Sequence, residues 1–250
     1  MSLKENTKFV YSVSSRKGMI KQLIISIQSL KNYVESDQII VYYTPPRNER
    51  DLELIQSLGI EVRERENETP GFSKSDWDEE SHYSEKTRVC EVESENAVFL
   101  DCDTVILKDI WQVLEGDFDI KARPGAADMP ENKWKELFER YNEEYMDWMP
   151  NTGFLVFKDN THKEIAEDWR EYVRKGVEVD YDGPTHREQN ALALAAGNLN
   201  WQKMTEKEHT LGWDEDPTKE AVLLHRETLS TNKVPLIKQS YNKLIEILYG

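Results

Sequence analysis

Thiols are scarce in this chain of 250 residues, which has two cysteines, Cys90 and Cys102. Two are too few for a disulfide framework or a thiolate zinc site, so reduced thiols are expected. Missing as well is any run of about eighteen apolar residues, the least that spans a bilayer as a helix. The polar first residues lack the apolar stretch of a secretory signal, and a soluble, cytoplasmic protein is expected. No Gly/Ser-rich or Pro-rich linker and no internal repeat interrupts the sequence. One large domain over residues 1–250 is therefore expected, long enough for a substantial core. Positive charge is short, with 32 Lys and Arg against 48 Asp and Glu, a net charge of -16 and a pI near 4.8. Such a field repels polyanions and argues against nucleic acid as a partner. A small anionic ligand is still compatible, because salt screens the field beyond about 8 Å and a divalent cation reverses its sign locally.

What the chain does have is alternation. Lys8 to Val13 reads as a strand, and Met19, Ile20, Leu23, Ile24, Ile27, Leu30 and Val34 follow at helical spacing. Gln38 to Tyr43 is a second strand, punctuated by Pro45 and Pro46. Leu52, Leu54, Ile55 and Leu58 mark a helix closed by Gly59, and Ile60 to Val62 resumes a strand. Strands alternating with helices predict an α/β fold with a mainly parallel sheet and ligands at the carboxyl ends of its strands. Glu66 to Ser84 is polar and broken by Pro70 and Gly71, a long surface loop that is either a lid or an irregular insertion. Beyond it, Tyr83–Val92 reads as helix, 117–122 as strand, 133–145 as charged helix, Gly153–Phe157 as buried strand, and Ile165, Trp169, Tyr172 and Val173 as one face of a further helix.

The densest chemistry lies in Asn96-Ala-Val-Phe-Leu-Asp-Cys-Asp-Thr-Val-Ile-Leu107, an apolar run ending in Asp101 and Asp103. Alternate residues of a strand share a face, so both carboxylates are expected to converge on one hard cation while Cys102 faces away. Without a cation the two charges would repel each other. Two enzyme families carry such a pair. In haloacid-dehalogenase-like phosphohydrolases it is a nucleophile and an acid/base, a pattern met by Asp101, Asp103 and Val105. Their motif sits on the first strand, whereas here strands and helices precede it. Their later acidic pair also follows an apolar strand, which Asp180/Asp182 and Asp214/Asp216 do not.

The order of elements resembles instead the A-type glycosyltransferase fold, and in particular the retaining, glycogenin-like and bacterial galactosyltransferase-like family eight. Four stretches between Phe9 and about His225 carry the resemblance. Val98 to Val105 is similar to the metal-binding strand. Ser84-Glu-Lys-Thr-Arg88 resembles the stretch whose Lys contacts the donor, here Lys86. Pro150-Asn-Thr-Gly-Phe-Leu-Val-Phe157 resembles the Asn-Ser-Gly strand lining the sugar site, with Asn151 at the matching position. Glu188-Gln-Asn-Ala-Leu192 resembles an Asp-Gln pair at a helix start, so Gln189 matches and Glu188 replaces Asp, a change of about 1 Å in reach. The resemblance implies a Rossmann-like domain with a nucleotide-binding half about 8–107 and an acceptor-side half about 108–250. It also implies transfer of a hexose from a nucleotide-diphosphate sugar, UDP-sugar favoured, to a carbohydrate, lipid-linked or protein acceptor, with retention.

The resemblance further implies Mn²⁺ or Mg²⁺ on Asp101, Asp103 and a late His. His225, ending the run Ala221-Val-Leu-Leu-His225, is either that ligand or an ordinary histidine at a strand end, with His209 as a substitute. Gln189 and Glu188 would support the cationic sugar. Tyr11, Ser12, Ser14 and Ser15 would surround the nucleobase and ribose, Tyr11 either stacking on the base or packing in the core, and Arg16 would reach the phosphates. The family's Gly and Lys after the metal His are replaced by Arg226-Glu-Thr-Leu-Ser-Thr-Asn-Lys233, so Arg226 or Lys233 would supply the cation for the leaving group. Trp213 is placed to stack on a sugar or to wall the cleft. A scaffold that binds a sugar nucleotide without turnover is the other reading of the same residues.

Overall fold

The computed structural model describes residues 3–16, 18–67, 81–125, 130–177, 187–211, 214 and 221–225. Most of the expected loop after Glu66 lies outside the described residues, as do Asp180, Asp182, Trp213, Asp216, Arg226 and Lys233. The chain runs β1 (Thr7–Ser14), α1 (Met19–Leu30), β2 (Ile39–Thr44), α2 (Glu49–Gln56) and β3 (Glu61–Glu64). It continues through a 3₁₀ helix (Ser81–Glu91), β4 (Asn96–Leu100), β5 (Thr104–Ile106), a second 3₁₀ helix (Ile110–Leu114), β6 (Ile120–Pro124), α3 (Glu131–Tyr141) and β7 (Pro150–Phe157). Last come α4 (Thr161–Glu164), α5 (Ala166–Lys175), α6 (Arg187–Ala196), β8 (Trp201–Lys203), β9 (His209–Thr210) and β10 (Leu223–His225). Two compact units result, one of Lys8–Glu66, Leu100–Gly116 and Met204–Gly250, the other of Met1–Thr7, Asn67–Phe99 and Asp117–Lys203.

In the first unit β3, β2 and β1 lie side by side, parallel throughout, in register from Phe9↔Ile39 to Ser14↔Thr44 and from Ile40↔Glu61 to Tyr43↔Glu64. β2 is buried along its whole length, which is why it reads as an unbroken apolar run rather than an alternating one. Helix α1 buries Ile20, Leu23, Ile24, Ile27 and Leu30, the stripe that its spacing predicted. Helix α2 starts at Asn48, whose side-chain oxygen accepts from the amides of Arg50 and Asp51 at 2.9 and 3.4 Å. Gly59, at φ 68, turns the chain out of that helix in a conformation that costs glycine nothing. A small sheet, β5-β10-β9, pairs β10 antiparallel to β5 and parallel to β9. Phe9 meets Trp111 edge-on, ring centroids 5.3 Å apart.

In the second unit the strand order is β4-β7-β6-β8, with β6 antiparallel to β7 and parallel to β8. The β6–β7 register shifts between Ala122 and Arg123, a bulge. Trp134, Leu137 and Phe138 of α3 pack with Met146, Met149, Val177, Ala193 and Leu194. Trp169, fully buried on α5, faces Phe157 at 6.3 Å between ring centroids.

Three boundaries differ from expectation. The charged helix stops at Tyr141 because Asn142 takes a left-handed conformation, φ 57, which ends the hydrogen-bond ladder. The strand expected at 117–122 is β6, starting at Ile120, because Asp119 uses its carboxylate to accept the Asn200 amide at 2.9 Å. The helical stretch before the acidic motif is 3₁₀ rather than α.

Candidate functional site

Asp101 and Asp103 do not share a strand. β4 ends at Leu100 and β5 begins at Thr104, so the pair brackets a tight turn, and the turn rather than strand alternation brings the two carboxylates together. Cys102 does face away, its thiol donating to the Ser12 carbonyl at 3.3 Å. A relay of hydroxyls holds the turn from behind. Thr104 Oγ1 donates to the Asp101 carbonyl at 2.8 Å, so it must accept from Ser26 Oγ at 2.8 Å, which in turn accepts from the Tyr11 hydroxyl at 2.9 Å. Burial pushes the Tyr11 phenol up, against the opposing pull of its Ser26 hydrogen bond, and keeps it a neutral donor. From the same helix Ser29 accepts the Ile106 amide at 2.9 Å and donates to the Ser26 carbonyl at 2.7 Å, fixing β5.

Strand register then delivers the histidine. His225 pairs with Thr104, the residue after Asp103, across β10 and β5. Its Nε2 lies 3.2 Å from Asp103 Oδ1 and 3.6 Å from Asp101 Oδ2, and one ligand atom from each of the three residues falls within 4.8 Å of the others. Cis ligands at about 2.1 Å from an octahedral ion stand roughly 3 Å apart, so these spacings suit one small cation. Two carboxylate oxygens and an imidazole are a mixed oxygen and nitrogen donor set that could hold a divalent cation. All three side chains are part-exposed, 15 to 21%, so a ligand from solvent can reach the group. His209 is not among the three. Its fully buried ring stacks on His225 at 5.2 Å, and its Nε2 lies 3.2 Å from His225 Nδ1.

The remaining expected residues of this unit divide. Tyr11 is wholly buried, so the core role is the one it plays and its ring is not available to a nucleobase. The correction has a simple cause, because β1 is covered on the face that Tyr11 occupies, where Ser26 of α1 meets its hydroxyl. Ser12 is part-buried, Ser14 is buried, and Ser15 hydrogen-bonds the Tyr43 hydroxyl. Arg16 sits part-exposed just before Gly18, the residue that opens α1. Asp214 accepts the Leu211 amide on its carboxylate at 2.6 Å, a turn contact.

The second unit gathers the other expected residues on β7, α6 and the long 3₁₀ helix. Lys86 is buried, 5% exposed, and donates to Thr152 Oγ1 at 3.1 Å. Thr152 donates onward to Glu188 Oε1 at 3.3 Å, so a chain of two hydrogen bonds links the cation to the carboxylate. The Tyr83 and Phe99 rings stand 5.3 and 5.8 Å from the ammonium. Asn151 accepts the Gly153 amide on Oδ1 at 2.9 Å. Gln189 is buried and its Oε1 has no hydrogen-bond partner among the described residues. A Cβ placed on Gly125 would come 3.7 Å from that oxygen, so the side-chain carbonyl faces bare glycine backbone. Sequence reasoning missed Ser26, Ser29, Thr104, Thr152 and His209 as supports. Only the i, i+3 spacing of Ser26 and Ser29 on the apolar face of α1 hinted at them.

No known family profile matches the sequence, and no curated protein matches it. Solved structures do. The galactosyltransferase LgtC, solved in complex with donor and acceptor sugar analogs, is similar with a TM-score of 0.67 at 11% identity, over 97% of this chain and 96% of that one. Mouse xyloside xylosyltransferase 1 is similar at 0.54 and 8% identity, over 88% and 97%. The glycosyltransferase GlyE of Streptococcus pneumoniae TIGR4 is similar at 0.58 and 11% identity, over 96% of this chain and 64% of GlyE. This chain has the A-type glycosyltransferase fold. Identities this low carry the fold alone.

Proposed function

We propose that this chain is a metal-dependent hexosyltransferase that takes its sugar from a nucleotide-diphosphate donor, UDP-sugar favoured, and passes it with retention to a hydroxyl of a carbohydrate, lipid-linked or protein acceptor. The observation that carries the reading is the convergence of Asp101, Asp103 and His225 at one turn of an A-type fold. Mn²⁺ or Mg²⁺ bound there supplies Lewis-acid stabilisation of the departing diphosphate, on the order of several kcal/mol. The side chains do the rest. Asp101, Asp103 and His225 would hold that cation, Arg16 and Lys233 would add charge against the diphosphate, and Ser12 would bond the nucleoside. Lys86, Asn151 and Glu188 bind the sugar hydroxyls. Gln189 would offer its buried carbonyl oxygen, which has no hydrogen-bond partner among the described residues, to the sugar as positive charge grows there, an interaction stronger in the transition state than before it. In a retaining transfer the acceptor attacks from the face the diphosphate leaves, and the leaving oxygen takes the acceptor proton, so no separate base is required.

The test is release of nucleoside diphosphate from a panel of nucleotide sugars, followed with Mn²⁺ and with chelator. Release that needs the metal and is lost in Asp103→Ala supports the reading. Phosphate release from simple phosphomonoesters, or turnover indifferent to both chelator and Asp103→Ala, would contradict it.

A further inference from the structure

The histidine pair at the cation group, His225 part-exposed and His209 fully buried, has its own logic. His225 and His209 lie on neighbouring parallel strands, β10 and β9, with Leu223 opposite His209. Alternate residues share a face, so His225, two beyond Leu223, is the diagonal neighbour of His209 on that face. The rings stack at 5.2 Å with 28° between planes, and the two nitrogens that meet, His225 Nδ1 and His209 Nε2, are 3.2 Å apart. β9 is itself fixed at its start. Glu208 accepts from the Thr205 amide and hydroxyl at 2.8 and 3.0 Å, and the His209 amide donates to the Thr205 carbonyl at 3.1 Å. His209 is fully buried, so its ring is held by packing.

We propose that His209 is a positioning residue that locks the ring orientation and tautomer of His225 for cation binding. The proposal rests on the reading of Asp101, Asp103 and His225 as a cation site. An imidazole that turns a lone pair on Nε2 toward a cation carries its proton on Nδ1, and a partner that accepts this proton fixes both the tautomer and the tilt of the ring. Carboxylates and backbone carbonyls usually serve as that partner. Here the atom in place to accept is Nε2 of a second histidine, which would then carry its own proton on Nδ1, a buried atom with no hydrogen-bond partner among the described residues. His209 therefore acts on the cation through His225 and never touches it.

Mn²⁺ affinity of the full chain, read from the EPR signal of free Mn²⁺, tests this in the wild type, His209→Phe and His209→Gln. Phe keeps an aromatic ring without an acceptor, whereas Gln places an amide oxygen near the position of Nε2. The expected result is roughly 10- to 100-fold weaker binding in His209→Phe, with most of the loss recovered in His209→Gln. Equal affinity in the wild type and His209→Phe overturns the role of His209 and leaves the cation site standing. A wild type that binds no Mn²⁺ overturns both. Should the variants fail to fold, ¹⁵N NMR of the Mg²⁺-loaded wild type decides. A His225 ring protonated on Nδ1, with scalar coupling across the hydrogen bond to His209 Nε2, is expected; protonation on Nε2 or no coupling overturns the proposal.

Discussion

The turn that carries Asp101 and Asp103 and the helix that carries Gln189 treat polar atoms in opposite ways. Behind Asp101 and Asp103 the hydroxyls of Tyr11, Ser26 and Thr104 form a closed relay in which each proton has a destination, and the group it supports is set before any ligand arrives. In the other unit Gln189 keeps a buried carbonyl oxygen without a partner among the described residues, and a Lys86–Thr152–Glu188 chain ends on a part-exposed carboxylate. A saturated network gives rigidity, and an unsaturated buried acceptor stores a cost that a ligand can relieve. The contrast teaches that the Asp101–Asp103 turn is fixed by its own hydrogen bonds, while the Gln189 oxygen is left open to a partner from outside the described residues.

The largest effect that sharpens this contrast is acid sensitivity set by a buried histidine of the second unit. His162 is fully buried there, its Nε2–H donating to the Val92 carbonyl at 3.2 Å while Nδ1 has no partner among the described residues. Burial lowers its pKa to about 4. Between roughly pH 4 and 6.5 the unfolded chain binds a proton that the native ring refuses, so stability rises with pH across that window and is fully present above it. Urea unfolding should show the wild type losing about 3 kcal/mol more than His162→Gln as pH falls from about 7 to 4; parallel profiles would remove His162 as the cause.

Breaking the relay comes next. Ser26→Ala leaves the Tyr11 hydroxyl and Thr104 Oγ1 without the partner between them, and should destabilise the chain by about 2 kcal/mol in denaturant unfolding. Thr152→Val, nearly isosteric, should cost about 1 to 2 kcal/mol by taking away the hydroxyl between Lys86 and Glu188, and should raise KM for the donor more than Ser26→Ala does. The smallest effect is a coupling. Tyr11→Phe alone should cost about 1 kcal/mol, but added to Ser26→Ala it should cost clearly less, because both remove the same hydrogen bond. Strict additivity would mean that the relay is not one unit.

Much of the fold was legible because its signals are local. The stripe on α1, the apolar runs of β1, β2 and β7, and the Asn48 and Gly59 ends of α2 each follow from a few neighbouring residues. The acidic pair was legible for the same reason. Its geometry was not, since a turn and a strand give the same sequence pattern when two carboxylates are separated by one residue. Tyr11 is the sharper lesson. A tyrosine inside a strand reads alike as ligand wall or core, and only the position of Ser26 on a packed helix distinguishes them. His209 could not be read from sequence either, because its contact with His225 depends on the β9–β10 register.

Thermal unfolding of the purified protein against a panel of nucleoside diphosphates and nucleotide sugars, with Mn²⁺ or with chelator, tests the central claim most directly. A ligand at 100 times its dissociation constant adds about 2.7 kcal/mol. The account predicts a stabilisation by one nucleotide class, UDP favoured, that requires the metal and vanishes in Asp103→Ala. A folded protein that no nucleotide stabilises, or one stabilised equally with chelator present, would contradict it.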